Sequence, residues 1–420
     1  MDTKNNIRKL RNQFLKSYYN NDYLNAQLLG ERLIAMYKNN HITDTESYGN
    51  DLFNLACAYD EDGLLDKALS TYLKAADAVS FDGSSQKLSD IYNNLAIVYS
   101  NLHQTDMALA YFKKCYNIRY ELLPHNHMDV ITACYNLGSM YKSMGRFYEA
   151  IQYYAKALAS RSLKDIRYAD NLYNLGMCYI ESDDFSTGLN YMQEAVDIYK
   201  TITDNQTEYI TALSFYSSIL YKVGKYTEAL KNYNTLITLI KNHYGTNQPF
   251  YADAVSKLAD CYAGINQIER AIPLKQKALN MIKKNVGTDH LFYSGALAEL
   301  GEYYLRESEY SKAAELYNKA LETRKKILGI SEDECISYIQ TLSDIYIAME
   351  LPQKAEDLLS YALNNVEPTS KKYTHLVLEL VRLYMDTENG AGLNKAFGLF
   401  NKVHPEKSFD EMLDMAEDLE

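Results

Sequence analysis

Bulky apolar residues recur along the chain at helical spacing, and small residues recur among them at fixed places. The stretch YNLGSMYKSMGRFYEAIQYYAKAL, residues 135–158, holds one unit of the pattern: Leu137 and Tyr141 lie four apart, Gly145 interrupts the run, and Ala150 and Ala157 flank Tyr154. Residues at i and i+4 share one helix face, so the Leu/Tyr pair predicts a first helix and the Ala–Tyr–Ala spacing a second. The pair returns as Leu55/Tyr59, Leu95/Tyr99, Leu175/Tyr179, Leu258/Tyr262, Leu300/Tyr304 and Leu342/Tyr346. Four residues after the tyrosine come Gly63, His103, Gly145 and Asp183, where the first helix is expected to end.

Alignment on the small residue that opens the second helix gives Ala26, Ala68, Ala108, Ala150, Gly188, Ala229, Ala271, Ala313, Ala355 and Ala396, successive anchors being 38 to 42 residues apart. A bulky residue follows four later (Tyr72, Phe112, Tyr154, Tyr233, Tyr317) and a second small one seven later (Ala75, Cys115, Ala157, Ala195, Ala278, Ala320, Ala362). Small residues let two helix backbones approach while the aromatics fill the flanking space. A fixed period in this range marks a solenoid, so the chain is predicted to be all-α, with about nine to ten helix-turn-helix units in one domain over residues 1–404.

The prolines fit this division. Pro124, Pro249 and Pro368 fall between units, Pro273 and Pro352 in the first turn of a second helix, and Pro405 before the final segment. With 40 Tyr, no Trp, 6 Pro and 18 Gly in 420 residues, breakers are few, as long helices with short turns require. A net charge of −12 opposes binding to nucleic acid or to an anionic membrane surface. Residues 405–420 hold seven acids against one lysine, a net of −6, and place Phe409, Met412, Leu413 and Ala416 on one stripe of an acidic capping helix or tail. Six scattered cysteines with no C-x-x-C pair read as small buried fillers in a reducing compartment. The first residues lack an apolar segment, and a cytoplasmic location is expected.

The units resemble tetratricopeptide repeats, which pair a leucine and an aromatic in the first helix with small–aromatic–small in the second. Their length matches the 42-residue variety of kinesin light chains, and VGTDHLFYSGALAELGEYY (286–304) and YNNLAIVY (92–99) are especially similar to it. The resemblance covers residues 8–404 and implies a right-handed α-solenoid (superhelix). Gly188 departs from the anchor alanine, the sixth unit has Tyr216/Leu220, the first lacks a clean pair, and the tenth inserts about three residues in TENGAG.

The resemblance also implies that first helices line a concave groove that binds peptides. The residue before the first-helix leucine is Asn54, Asn94, Asn136 and Asn174 in units two to five, preceded by Phe53, Asn93, Tyr135 and Tyr173. An amide has both donor and acceptor, so these form a candidate rail for an extended peptide backbone; bonding between neighbouring units is the alternative. In units six to nine the position holds Phe215, Lys257, Glu299 and Thr341. Asp253, Asp260, Glu299, Glu302 and Asp344 make the later groove acidic, while Lys142 and Lys257 read as isolated. The basic clamp that kinesin light chains use for acidic cargo is missing, so a neutral to basic segment is the better match; a solvated acidic face is the alternative.

Catalytic motifs are not found. Gly224–Lys225 lacks the rest of a P-loop, and GAGLNKAFG (390–398) follows no strand and reads as a loop insertion. His125 and His127 share one inter-unit loop whose counterpart carries His290, which points to surface and capping roles rather than a metal. Cys134 and Cys178 have no nearby histidine base in the repeat geometry. The expected function is a non-catalytic, cofactor-free scaffold holding a partner protein's extended segment. The alternative is a signalling-peptide receptor of the bacterial type acting on a separate effector chain. Such regulators carry an N-terminal effector domain, whereas the first repeat here begins almost at once.

Overall fold

The computed structural model describes residues 2–43, 45–80, 85–160, 163–202 and 206–418. The chain divides into two compact units, Met1–Ala212 and Leu213–Glu420. Every element among the described residues is a helix, and the helices come in pairs. In the first unit α1 (Asp2–Tyr19) pairs with α2 (Tyr23–Asn39), α3 (Glu46–Glu61) with α4 (Leu65–Ser80), and α5 (Ser85–Asn101) with α6 (Thr105–Leu122). There follow α7 (Met128–Ser143) with α8 (Phe147–Ala159) and α9 (Ile166–Glu181) with α10 (Phe185–Thr201). α11 (Gln206–Lys222) spans the division.

The second unit continues with α12 (Tyr226–Tyr244), then α13 (Pro249–Gly264) with α14 (Ile268–Val286) and α15 (Leu291–Arg306) with α16 (Tyr310–Leu328). α17 (Asp333–Ala348) pairs with α18 (Pro352–Leu363) and α19 (Lys371–Asp386) with α20 (Gly390–Asn401), before α21 (Phe409–Glu417). Within each unit a helix packs on its pair-mate, and a second helix also packs on the next first helix. This is the order of an α-solenoid.

The turn inside each pair has one geometry. The residue five before the anchor takes a positive φ of 57–79° in nine units: Asn21, Gly63, His103, Gly145, Asp183, Gly224, Asn266, Ser308 and Glu350. In the tenth, Glu388 (φ 51°) stands eight before Ala396, so the three extra residues are absorbed after the turn. The N–H of the left-handed residue bonds three residues back, as Gly63 to Asp60 at 2.9 Å, and the next N–H bonds five back, as Leu64 to the Tyr59 carbonyl at 2.9 Å. That is a Schellman cap. Gln104 to Tyr99, Arg146 to Tyr141 and Glu309 to Tyr304 repeat it.

All ten anchors are buried, from Ala26 to Ala396 and including Gly188. So are the second small positions Ala75, Cys115, Ala157, Ala195, Ala278, Ala320 and Ala362. The second-helix aromatic lies across a small residue of the first helix: a Cβ on Gly138 would sit 2.8 Å from Tyr154 Cδ1. The glycine after Leu137 is therefore the space the tyrosine ring occupies. His127 and His290 cap α7 and α15, each accepting a backbone N–H through Nδ1 at 3.2 Å. His125 stacks on Tyr120 with ring centroids 4.2 Å apart. All six cysteines are free thiols, five of them buried.

Two expectations are corrected. Pro273 lies inside α14, as its sixth residue, rather than in the first turn. Pro273 and Glu269 are both exposed, so the Glu269 carbonyl left without its helical N–H partner is within reach of solvent. GAGLNKAFG is not a loop: Gly390 opens α20, and the Asn389 side chain accepts the Gly392 N–H at 3.0 Å. A Cβ at Gly392 would lie 2.5 Å from Tyr384, so this glycine serves helix packing rather than flexibility. α21 packs on α19 and α20 and buries Met412 and Ala416; Leu419 lies outside the described residues.

Candidate peptide-binding face

Side chains on consecutive first helices bond to one another. In the first unit the Arg11 guanidinium of α1 reaches both carboxylate oxygens of Asp51 on α3 at 2.9 and 2.8 Å, and the Tyr37 hydroxyl donates to Asp51 at 2.9 Å. Burial raises the Asp51 pKa against these bonds. The sequence sets Asn54, Asn94, Asn136 and Asn174 on a rail facing a ligand; the structure engages three of them with neighbouring side chains. Asn94 donates to the Tyr72 hydroxyl at 3.2 Å and accepts from Asn93 at 3.2 Å. Asn136 donates to Asn93 at 2.8 Å. Asn174 donates to the Tyr135 hydroxyl at 3.0 Å and accepts from the Lys142 ammonium at 2.6 Å. Lys142 is therefore not isolated.

The physical reason is spacing. Side chains one repeat apart on adjacent helices come within hydrogen-bond reach, so an amide finds its neighbour before it finds a ligand. Asn54 is half-buried, and its side chain makes no hydrogen bond among the described residues. Tyr173 is half-buried too, and desolvation raises its pKa.

Between α7 and α9 lies a cavity of about 330 Å³ lined by Thr132, Tyr135, Arg167, Asp170 and Asn171 among others. Asp170 accepts the Tyr199 hydroxyl at 2.6 Å, and burial lifts its pKa despite that bond. Asn171 donates to the Tyr154 carbonyl at 3.2 Å, while its buried Oδ1 has no hydrogen-bond partner among the described residues.

In the second unit the acidic groove is built around a residue that sequence reasoning missed. Lys275, on second helix α14 and 4% exposed, sends its ammonium to Asp260 at 2.8 Å, Glu299 at 2.7 Å and Ser256 at 2.7 Å. The Tyr303 hydroxyl donates to the same Asp260 at 2.6 Å. Burial works against the charge, but Asp260 and Glu299 together hold the Lys275 pKa above the ordinary lysine value. Lys257 is also paired, 3.6 Å from Asp260. Asp260 and Glu299 are thus partly neutralised from within. Glu302 pairs with Arg306 at 2.6 Å and Asp344 with Arg382 at 3.6 Å. The Asp253 side chain forms no salt bridge or hydrogen bond among the described residues. Its pKa is raised chiefly by desolvation, with Glu299 and Asp260 adding and the two lysines opposing.

A cavity of about 890 Å³ opens on this face, with Phe250, Asp253, Phe292, Gly295, Glu302 and Tyr338 among its walls. Phe250 and Phe292 are large rings left in solvent at 41% and 72% exposure. They stand 42 residues apart in the matching dipeptides Phe250–Tyr251 and Phe292–Tyr293, a signal the sequence carried. Aligned on the first-helix leucines Leu175 and Leu258, Arg167 and Asp170 of the smaller cavity match Phe250 and Asp253 of the larger. Both cavities therefore open at the same place in the repeat.

Among the described residues no group of three or more His, Cys, Asp or Glu side chains could hold a metal, and no helix is long and apolar enough to cross a membrane.

The tetratricopeptide-repeat model matches residues 52–121, 87–162, 129–201, 208–284 and 267–326. Over 132 residues the chain is 31% identical to protein O-mannosyl-transferase TMTC2 of Homo sapiens, covering 30% of this chain and 15% of that protein. Over 257 residues it is 20% identical to the kinesin light chain-related 3 protein of Arabidopsis thaliana, covering 59% and 39%. The chain thus spans well under half the length of these relatives. The crystal structure of a signal transduction ATPase with numerous domains, bearing a tetratricopeptide repeat sensor, from Pyrococcus horikoshii is similar at a TM-score of 0.50 and 17% identity, over 88% of this chain and 55% of that one. This likeness concerns the fold alone. Family matches across most of the length, together with paired helices at a period of 38 to 42 residues, place the chain in the tetratricopeptide-repeat family.

Proposed function

We propose that this protein is a non-catalytic interaction module that holds a neutral to basic segment of a partner protein against its first-helix face. Tetratricopeptide repeats are generally protein-interaction scaffolds. The observation that carries the reading here is the recurrence of cavities at equivalent first-helix positions, with polar and aromatic side chains on their walls. The docking residues are Asn54, Tyr135, Asn136 and Tyr173 in the first unit and Asp253, Glu299 and Glu302 in the second. Asn93, Asn94, Asn174, Lys142 and Asp260 act behind them by fixing neighbouring side chains. That residues 1–404 serve as one domain is part of this proposal, supported by the 41-residue spacing of Gly188 and Ala229 across the division at Ala212. Six free thiols fit a reducing, cytoplasmic setting.

A photo-crosslinking residue at Asn54 or Phe292, introduced in the native cell, should yield discrete protein adducts, whereas one at exposed Lys319 on α16 should not. Adducts at Lys319 alone would overturn the reading. The bounded volume of the larger cavity favours a second reading, a receptor for a short free peptide acting on another chain. Calorimetry separates the two: full affinity for peptides of about five to eight residues supports the receptor, and affinity only for longer segments supports the scaffold.

A further inference from the structure

The walls of the 890 Å³ cavity combine three features that the fold itself does not require. Phe250 on α13 and Phe292 on α15 occupy the same repeat position and keep their rings in solvent. Folding tends to bury such rings, yet an edge contact from Tyr244 at 5.4 Å leaves Phe250 41% exposed, and the stacked His290 ring at 5.2 Å leaves Phe292 72% exposed.

Gly295 lies one turn beyond Phe292, in the interior of α15. A Cβ there would meet nothing within 4 Å, in contrast to Gly138 or Gly301, whose space a tyrosine ring fills. A helix interior disfavours glycine, and no neighbour in this chain asks for it. No described residue fills the room above Gly295.

Charge is the third feature. The lining holds Asp253, Glu299, Glu302 and Glu334 against one cation, Arg324. Glu299 is held by Lys275, and Arg324 by Glu332 and Glu334. That leaves Asp253 with no salt bridge among the described residues, and Glu302 with a surface partner one turn away. An acidic ligand would be repelled here, and a purely apolar one would cover the Asp253 carboxylate without giving it a partner.

We infer that this cavity takes a dipeptide-sized element of a partner protein, with an apolar side chain seated over Gly295 between the two phenylalanine rings and an adjacent Lys or Arg paired to Asp253 and Glu302. The inference rests on the docking face proposed above and assigns it a specificity element.

A display library of random twelve-residue peptides, selected on the full chain, is the test. The recovered sequences should be enriched in Lys or Arg next to Phe, Leu, Ile, Met or Tyr. The most enriched peptide, measured by fluorescence anisotropy, should bind Asp253→Lys and Gly295→Leu at least tenfold more weakly than the parent. Neither change disturbs packing: Asp253 is exposed, and the space at Gly295 is open. Asp253→Asn should lose several-fold and show less dependence on salt, which a purely steric effect would not alter. Acidic or charge-free sequences would overturn the inference. So would a basic–apolar peptide whose affinity survives both variants but falls in Asn54→Ala/Asn136→Ala, and that result would leave the wider docking face standing. Failure to recover any peptide would overturn both.

Discussion

Gly188 occupies the anchor position that is alanine in the other nine units, and restoring that alanine should weaken the protein. A Cβ on Gly188 would sit 2.6 Å from Ile180 Cγ1, 2.8 Å from the Gly176 carbonyl oxygen and 3.2 Å from the Ile180 nitrogen. The approach is reciprocal, since a Cβ on Gly176 would lie 2.9 Å from the Gly188 oxygen. Two of the three obstacles are backbone, which cannot swing aside as a side chain can. Overpacking of this kind costs roughly 1–3 kcal/mol. Alanine returns about 1 kcal/mol through helix propensity. The net is a loss of about 1 kcal/mol, or about fivefold in local opening. Gly295→Ala is the control: nothing opposes its Cβ, so it should gain up to about 1 kcal/mol. Repeat arrays do not unfold in two states and each unit touches only its neighbours, so native-state hydrogen exchange is the right assay. Protection should fall in α9 and α10 for Gly188→Ala and rise in α15 for Gly295→Ala. If Gly188→Ala gains as much as the control, the close approach of α9 and α10 is wrong.

Glu350 holds a left-handed φ of 60° while exposed, so Glu350→Gly should stabilise the α17–α18 turn by about 1 kcal/mol, read as slower exchange of its amides. Ser408 caps α21 in a reciprocal pair with Glu411; Ser408→Ala should cost about 1 kcal/mol and appear as fraying of α21 with α1–α10 unchanged. Burial pushes the pKa of Tyr37 and Tyr116 up to about 12 from an ordinary 10.0. The folded state therefore keeps protons that the unfolded chain releases. Their contribution is complete below pH 10 and lost as pH rises from 10 to 12, so alkaline unfolding should coincide with the second wave of tyrosinate absorbance. A single tyrosinate wave at pH 10 with the fold intact would contradict that burial.

The repeat was legible because its signals are local and periodic. Leu137/Tyr141 at four residues, Ala150/Ala157 at seven and the break at Gly145 each follow from helix geometry, and ten recurrences remove chance. His127 and His290 could be assigned to caps because equivalent loops carried them. What escaped depends on contacts between units. Lys275 sits on a second helix with no motif around it, and only the packed structure shows its ammonium entering the acids of α13 and α15. The rail amides looked available because sequence gives the face of a side chain but not the neighbour that takes its hydrogen bonds, as Asn93 takes that of Asn136. Pro273 and GAGLNKAFG misled because breaker residues mark helix ends only on average; solvent exposure excuses the first and the Tyr384 ring explains Gly392.

Hydrogen exchange of the full chain with and without the tightest peptide recovered by selection tests the central claim most directly. The account predicts slowed exchange in α13, α15 and α17, whose side chains line the larger cavity, with α12 and α18, which contribute none of the lining, little changed. Protection concentrated on the second helices, or confined to α1 and α21, would contradict a ligand held by the first-helix face.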